Sequence, residues 1–152
     1  MRLLDIFDSL DCVAILAREE KVQAMQVLVD RLVASGKLDA AHREDALRAL
    51  LKREAVGSTG IGRGAAIPHA RVDYVTQPVG AIGISAGIDF GAVDHTQVRV
   101  LFLLLSPVGS DREHLEALGL VGQLLQNAAL VEALGSARSG AEVLRLIRRH
   151  EP

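Results

Sequence analysis

A histidine closes a glycine-rich segment near the middle of the chain. The segment, GSTGIGRGAAIPHAR, spans residues 57–71, and four glycines fall within its first eight residues. Glycines allow a backbone to approach a phosphate closely, whereas the imidazole of His69 can bind a metal or act as a base or nucleophile. Three interpretations compete: a phosphate-binding loop, a metal or catalytic site at His69, and an ordinary connection between elements.

The segment lacks the features of a nucleotide-binding loop. A Walker A loop continues as Gly-Lys-Ser or Gly-Lys-Thr into a helix, and a dinucleotide-binding loop follows a strand and opens a helix. Here a helical pattern precedes the glycines, and Ala-Ile-Pro-His follows them. We therefore expect no nucleotide binding at residues 57–71.

The spacing of the histidines does not favour a metal site. No HxH or HExxH pattern occurs, and the chain has a single cysteine. Metal sites usually combine such closely spaced ligands. We expect no metal, and we expect His42, His95 and His150 to lie on the surface. A site assembled from the distant residues His69, His95 and His114 stays open at this point.

The residues before His69 restrict how it is presented. Pro68 fixes its own φ and holds Ile67 in an extended conformation. Ala65 and Ala66 are small, so a large partner can approach. Such a position suits a nucleophilic imidazole that has to meet another macromolecule. A plain solvent loop with an incidental histidine also fits the glycines.

Hydrophobic periodicity predicts the elements that surround this segment. Apolar residues at helical spacing predict four helices, over residues 19–35, 39–54, 110–126 and from 139 towards the C-terminus. Alternating or continuous apolar runs predict three strands, over residues 12–16, 79–86 and 98–105. Asp39, Ser110 and Ser139 are the expected N-caps, the two serines as part of capping boxes, and Gly36 is expected to end the first helix.

Buried strands between groups of helices indicate the fold class. We expect a single α/β domain over residues 1–152, in which a central mixed β-sheet is flanked by helices on both faces. The length suits one domain with one core. The order of the strands does not follow from this pattern.

Charge and composition argue against a nucleic-acid partner. The formal net charge is −2, aromatic residues make up 3% of the chain, and tryptophan is absent. Binding to nucleic acid normally needs a basic surface or aromatic stacking platforms. The one dense basic cluster, Arg145, Arg148 and Arg149, is interpreted as cations near a helix C-terminus.

The sequence also predicts a cytoplasmic protein that does not insert into a membrane. Cys12 is the one cysteine, which excludes an internal disulfide and suits a reducing compartment; we expect it to be a small buried apolar residue. Asp5, Asp8 and Asp11 interrupt any signal-peptide core. The longest apolar run, residues 100–105, is too short to span a bilayer.

Two longer motifs carry a family resemblance. Residues 53–69, REAVGSTGIGRGAAIPH, closely resemble the active-site segment of the IIA proteins of the bacterial phosphoenolpyruvate-dependent phosphotransferase system. Within this family, the motif most resembles that of the fructose/mannitol class and, inside that class, of the nitrogen-regulatory branch. Residues 98–121, VRVLFLLLSPVGSDREHLEALGLV, resemble the second family segment, a buried strand, a polar loop and a helix with a histidine. The chain departs at Ala70, where glycine is frequent, and at Glu116, where histidine is common.

The resemblance implies a role for several residues. His69 accepts a phosphoryl group from the phosphohistidine of HPr or of its nitrogen-branch relative, His114 donates a hydrogen bond to the phosphoryl oxygens, and Arg53 clamps the phosphate. Arg53 alternatively serves as a helix-end cation. Ser58 and Thr59 are expected to orient the imidazole or bind phosphate, or simply to form a turn. The resemblance implies no metal, nucleotide or other cofactor.

The partners that the resemblance implies leave two functional classes open. The chain either feeds a sugar permease, passing phosphate from His69 to a cysteine of a IIB domain, or acts as a regulatory switch on target proteins, which the GSTGIG wording favours. A binding module without phosphotransfer is a third, less favoured class. The surface that docks the partner is expected to include Ile61, Arg63, Ile67 and Ala70.

Overall fold

A six-stranded β-sheet forms the centre of the computed structural model, which describes residues 1–151. The strands are β1 (Val13–Ile15), β2 (Gly60–Gly62), β3 (Ala65–Ala66), β4 (His69–Val72), β5 (Val79–Ile88) and β6 (Val98–Pro107). The helices are α1 (Leu3–Ile6), α2 (Lys21–Ala34), α3 (Arg43–Val56), α4 (Asp111–Leu125), α5 (Ala128–Gly135) and α6 (Gly140–His150). Short 3₁₀ turns at Leu10–Cys12 and Ala40–His42 precede β1 and α3.

The sheet is mixed, as the sequence predicts. Its order is β1-β5-β6-β3-β2, and β4 also pairs with β6. β5 and β6 are antiparallel, β1 is parallel to β5, and both β3 and β4 are parallel to β6. The strands predicted at 79–86 and 98–105 are confirmed and extend two residues further, to Ile88 and Pro107.

Helices cover both faces of the sheet, which confirms the predicted α/β class. One core cluster packs α1, α4, α5 and α6 on the sheet, and the other packs α2 and α3 on its opposite face. β6 serves both, because Phe102 and Leu104 belong to the first cluster and Leu101, Leu103 and Leu105 to the second. A strand buried on both faces needs a continuous apolar run.

A close approach between β5 and the N-terminal turn depends on Gly80. A Cβ at this position would lie 2.2 Å from a ring carbon of Phe7 and 2.9 Å from the backbone oxygen of Leu103. The fully buried Phe7 ring in turn packs edge-on against Phe102, with ring centroids 5.1 Å apart. The missing side chain therefore allows an aromatic pair to sit against the strand.

Two of the predicted helix starts are corrected by the structure. The Asp39 carboxylate accepts from the backbone N–H of Ala41 and so caps the 3₁₀ turn, and α3 begins only at Arg43. Ser110 is the N-cap of α4 by position, but its hydroxyl makes no capping bond, because its backbone conformation (φ −115°, ψ 60°) is not the usual extended one. The Ser139 hydroxyl does accept the predicted capping bond.

Other predictions at the surface are mostly confirmed. Gly36 ends α2 with a φ of +76°, Cys12 is buried, and His95 and His150 are exposed. His42 is half-buried, because its ring stacks on Tyr74. The prediction of one domain over residues 1–152 stays a prediction, since Pro152 lies outside the described residues.

The helices were also tested for length and apolarity. Within residues 1–151 no single helix is long and apolar enough to cross a membrane. α4 and α5 reach that length and composition only when taken together, and the two are bent by 88° at their break.

Candidate active site

The glycine-rich segment is a hairpin and a broken strand, and not the loop that the sequence suggests. β2 and β3 pair around Gly62, Arg63 and Gly64, which all have positive φ. β3 and β4 both run parallel to β6, and Ile67-Pro68 interrupts them. Proline has no N–H for the ladder, although its carbonyl still accepts from Leu104 at 2.9 Å. His69 begins β4, so its position is fixed by the central sheet.

The imidazole of His69 is oriented by its own backbone. Its Nδ1 lies 2.6 Å from the carbonyl oxygen of Ile67. A carbonyl can only accept, so Nδ1 carries the proton and donates it. In the neutral ring Nε2 therefore keeps the free electron pair. His69 also lines a surface groove of about 570 Å³, which leaves Nε2 as the nitrogen that can react there.

The surroundings of His69 favour its neutral form. Burial lowers the pKa of His69, and the nearby Arg53 cation lowers it further. The hydrogen bond to Ile67 and the Glu54 carboxylate act in the opposite direction, but the net shift is downward. The pKa thus lies below the ordinary histidine value. At neutral pH the electron pair on Nε2 is available.

A relay of hydrogen bonds connects α3 to this ring. The buried carboxylate of Glu54 accepts from the backbone N–H of Thr59 at 3.1 Å and from its hydroxyl. The Thr59 carbonyl accepts from the N–H of Ile67 at 3.1 Å, and the Ile67 carbonyl holds His69. Lys21 pairs with Glu54 at 2.5 Å. The position of His69 therefore depends on a partly buried ion pair at the end of α3.

Ser58 and Thr59 have partners other than the imidazole. The Ser58 hydroxyl donates to the Phe90 carbonyl at 2.7 Å and accepts from the N–H of Gly60, while Thr59 is buried and bonded to Glu54. The orienting role expected of these two hydroxyls belongs instead to the Ile67 carbonyl. Both residues stabilise the turn that leads into β2, which is the alternative that the sequence left open.

His114 lies beside His69, as expected for the second histidine of the site. The ring centroids are 5.6 Å apart and the planes are tilted by 47°. His114 lies in the second turn of α4 and is only 8% exposed. Its Nδ1 is 2.8 Å from the hydroxyl of Ser106 at the end of β6. Both histidines line the same groove.

The environment of His114 also disfavours its charged form. Burial lowers the pKa of His114, and the positive charges of Arg71 and of His69 in its protonated form lower it further, against the smaller effect of Asp111. The ring is thus neutral at neutral pH in the unliganded protein. A negative group in the groove would act against these effects and stabilise a proton on His114.

Three cationic side chains border the groove. Arg53 and Lys52 come from α3 and Arg71 comes from β4. Arg53 donates to the Gly57 carbonyl at 2.8 Å, a helix-end contact, and Arg71 pairs with Asp111 at the start of α4. The groove therefore concentrates positive charge around two neutral histidines, an arrangement that favours a multiply charged anion.

Sequence reasoning missed several residues that the structure brings to the site or beneath it, among them Arg71, Lys52, Ser106 and Glu54. Two had a signal. Arg71 follows His69 by two residues and shares its face of the strand, and Lys52 directly precedes Arg53 in the last turns of the predicted helix. Ser106 and Glu54 had none, because their contacts with His114 and Thr59 cross between elements or around a turn.

Two of the four expected docking residues are buried. Ile67 belongs to the core and Ala70 is also buried, with 7% exposure each, because both side chains point into packed layers beside β6. Ile61 and Arg63 are exposed but line a different groove, against α4.

Two other apolar side chains are freely exposed near the histidines. Val56 lines the groove and is 84% exposed, and Leu115, next to His114 in the chain, is 67% exposed. These two residues join Ala70, which also lines the groove, as candidates for a docking surface.

The arrangement suits transfer of an anionic group to a nitrogen. It combines a neutral nucleophile, a second imidazole and guanidinium groups, which together can position and stabilise a phosphoryl group. Among residues 1–151 no group of three or more His, Cys, Asp or Glu side chains could hold a metal ion. His69 and His114 come together, but His95 lies on a separate exposed loop.

Known proteins share both the sequence and the fold. The chain is 39% identical over 120 residues to the fructose-specific EIIA component of the PTS system of Haloferax volcanii, covering 78% of this chain and 77% of that protein. It is 30% identical over 128 residues to a nitrogen regulatory protein of Bradyrhizobium diazoefficiens, covering 84% and 82%. The crystal structure of the nitrogen regulatory protein IIA-Ntr from Neisseria meningitidis superposes with a TM-score of 0.80 at 30% identity, over 91% of this chain and 94% of that one.

The family that matches covers nearly the whole chain. Residues 8–150 match the family described as phosphoenolpyruvate-dependent sugar phosphotransferase system, EIIA 2. This span contains the complete sheet and both histidines of the groove. The chain therefore belongs to the EIIA 2 family of the phosphoenolpyruvate-dependent sugar phosphotransferase system.

Proposed function

We propose that the protein is a phosphoryl carrier that accepts a phosphoryl group on Nε2 of His69 from the phosphohistidine of an HPr-type protein. The observation that carries this proposal is the bond from Nδ1 of His69 to the Ile67 carbonyl. This bond places the proton on Nδ1 and leaves the electron pair on Nε2. Family membership supports the same chemistry.

The transfer step balances without further reactants. The electron pair on Nε2 of His69 forms a new N–P bond while the N–P bond to the carrier's histidine breaks, and that pair of electrons returns to the carrier's nitrogen. A PO₃⁻ unit moves and no proton is gained or lost overall. The ring of His69 becomes cationic while it carries the phosphoryl group, and the Ile67 carbonyl stabilises the Nδ1–H of this form.

The groove supplies the groups that neutralise the phosphoryl charge. Arg53 exchanges its contact with the Gly57 carbonyl for the phosphoryl oxygens, which form stronger, charge-assisted hydrogen bonds. Lys52 and Arg71 add positive charge at the rim. His114 donates a hydrogen bond from the side of α4. Phosphoryl transfer depends mainly on such positioning and charge stabilisation.

The carrier docks on the apolar rim of the groove. Val56 lines the groove and is exposed, and Leu115 is exposed next to His114 on α4. Aliphatic side chains at the centre of an interface exclude water from the reacting groups. The donor histidine can then reach His69, which lies at an open surface and not in a closed cavity.

Of the two possible roles of the phosphorylated chain, regulation is favoured over sugar uptake. The GSTGIG motif at residues 57–62 supports the regulatory role, and so does the similarity to nitrogen regulatory proteins. In this role the phosphorylation state of His69 alters binding to target proteins. Two negative charges beside Val56 and Leu115 would change that surface enough to select between partners.

A second candidate is sugar uptake, in which His69 passes the phosphoryl group to the cysteine of a IIB domain. The 39% identity to a fructose-specific EIIA component favours it. The two roles share the first transfer and differ only in the acceptor.

Intact mass tests the proposal. The chain is incubated with phosphoenolpyruvate, enzyme I and an HPr-type carrier, beside a His69→Ala variant and a His150→Ala control, whose histidine is exposed at the end of α6. We expect one acid-labile phosphate on the wild type and on His150→Ala, and none on His69→Ala. No added phosphate with any carrier would refute the proposal and favour a binding module without phosphotransfer.

The acceptor is tested with the phosphorylated chain. Loss of phosphate to a fructose- or mannitol-type IIB domain within seconds would favour sugar uptake. Retention of phosphate in its presence, together with a phosphorylation-dependent change in binding to a regulatory target, would favour the switch.

A further inference from the structure

The hydroxyl of Ser106 has one available partner, and that partner is a ring nitrogen of the site. Ser106 is fully buried at the end of β6. In the described part of the chain, Nδ1 of His114 is the only hydrogen-bond partner of its Oγ, at 2.8 Å. A hydroxyl carries one proton to donate and two pairs to accept with. The direction of this single bond decides the tautomer of His114.

The buried environment fixes the direction. If Nδ1 of His114 donated, the Ser106 proton would be buried without an acceptor, which is costly. If Ser106 donates, its proton and the Nδ1 electron pair are both satisfied. Nδ1 then lacks a proton, and the neutral ring carries it on Nε2. This is the nitrogen on the groove side, since Ser106 occupies the other side of the ring.

We infer that Ser106 is a positioning residue that holds His114 in its Nε2–H tautomer, so that the two histidines of the groove face it in opposite forms. His69 presents an electron pair on Nε2 because the Ile67 carbonyl accepts from its Nδ1. His114 presents a proton on Nε2 because the Ser106 hydroxyl donates to its Nδ1. One ring is thereby set as nucleophile and the other as hydrogen-bond donor to the transferred group.

The neighbouring strand supports this position of the hydroxyl. Ser106 pairs in register with Arg71 of β4, and Arg71 in turn forms an ion pair with Asp111 at the start of α4. These contacts hold the end of β6 and the first turn of α4 together. The Ser106–His114 bond therefore spans two elements whose separation is fixed independently of it.

The role of Ser106 in catalysis rests on the proposed phosphoryl transfer, but the tautomer does not. The first measurement is therefore ¹⁵N NMR of the ring nitrogens in the unphosphorylated wild type at neutral pH. We expect Nδ1 unprotonated and Nε2 protonated in His114, and the reverse pattern in His69, which serves as an internal reference. A protonated Nδ1 in neutral His114 would overturn the inference whatever the phosphotransfer assay shows.

The second measurement uses Ser106→Ala, which removes the donor. We expect the ring signals of His114 to shift towards a mixture of tautomers and the rate of phosphoryl transfer to fall about threefold to tenfold, the effect of one lost hydrogen bond. Ser106→Thr keeps the hydroxyl and is expected to keep the Nε2–H tautomer. An unchanged tautomer and rate in Ser106→Ala would overturn the inference.

Ser85→Ala is the matched control. Ser85 is also a buried strand serine, and its hydroxyl donates to the Val98 carbonyl at 2.8 Å, far along the sheet from the histidines. In Ser85→Ala we expect the tautomers of His69 and His114 and the rate of phosphoryl transfer to match those of the wild type. An equal fall in rate for both variants would reduce the role of Ser106 to stability. If the wild type takes no phosphate while its tautomers are as stated, the proposed function fails and the hydrogen-bond assignment does not.

Discussion

Glu54→Ala is expected to destabilise the protein strongly, because this carboxylate fastens the glycine-rich segment to α3. Its side chain is 5% exposed, and it pairs with Lys21 at 2.5 Å. It also accepts from the backbone N–H of Thr59, at 3.1 Å and 3.3 Å to its two oxygens. Alanine removes all of these contacts and leaves the N–H of a buried residue without a partner.

The contacts set the size of the effect. An unsatisfied buried N–H costs about 1–3 kcal/mol. Breaking a fully buried ion pair costs about 3–5 kcal/mol, but Lys21 is 27% exposed and keeps the Phe90 carbonyl at 3.0 Å and the Phe90 ring at 4.5 Å. The Lys21 charge therefore keeps contact with water and with Phe90 in the variant, so we take a loss of about 1 kcal/mol for the broken ion pair. Together the free energy of unfolding falls by about 3 kcal/mol, and Tm by about 10 °C for a chain of this size.

Urea unfolding followed by circular dichroism measures this change. Glu54→Gln keeps one oxygen as the acceptor for Thr59 and replaces the oxygen that pairs with Lys21 by an uncharged NH₂, so a loss of about 1 kcal/mol is expected. Glu132→Ala is the control, because Glu132 pairs with Arg99 at 3.2 Å but is 73% exposed, and exposed pairs contribute less than about 1 kcal/mol. If Glu54→Ala and Glu132→Ala unfold at the same urea concentration, the relay from α3 to His69 does not hold the segment.

Three further predictions concern the site and the sheet. Arg53→Gln is expected to raise the pKa of His69 in an NMR titration, because the cation lowers it in the wild type; an unchanged or lower pKa would contradict this. His114→Ala is expected to slow phosphoryl transfer about 10²- to 10³-fold, as loss of a donor to a developing anion does elsewhere, and an unchanged rate would rule out that role. Gly80→Ala is expected to lower the free energy of unfolding by about 3 kcal/mol or more, because its Cβ would overlap the Phe7 ring at 2.2 Å; a stability equal to the wild type in urea would refute the packing.

Local patterns in the sequence were sufficient for the long elements. The apolar repeat of α2 and the continuous run of β6 are set by burial over ten or more residues, and one or two exceptions do not alter them. The α5 helix was not predicted, since eight residues after a break at Asn127 are too few to show a period. The start of α3 depends on whether Asp39 caps a 3₁₀ turn or an α turn. A short carboxylate side chain can cap either one, so the sequence does not distinguish them.

The short strands of the site could not be predicted from their residues. β3 has two residues and β4 has four, and both exist because β6 pairs with them from about 35 positions further along the chain. The glycines that indicate a loop allow the hairpin turn at Gly62 and Gly64 instead. Burial of Ile67 follows from this pairing, which is why its expected place on the surface was wrong.

Some residues of the site could be predicted from sequence motifs, and others could not. His69, His114 and Arg53 stand in motifs that resemble a known family, and the structure brings all three to one groove. Ser106 is a single serine at a strand end, and its contact with His114 arises only when α4 packs beside β6. No local pattern encodes that contact, because it depends on the distance between two elements.

The central claim is that Nε2 of His69 receives the phosphoryl group, and the most direct test locates the phosphate on the ring. The chain, labelled with ¹⁵N in its histidines, is phosphorylated by phosphoenolpyruvate, enzyme I and an HPr-type carrier, and the ¹⁵N–³¹P coupling is measured. The structure predicts coupling to Nε2 of His69, with the proton retained on Nδ1 beside the Ile67 carbonyl. Coupling to Nδ1, or to a ring nitrogen of any other histidine, would contradict the account.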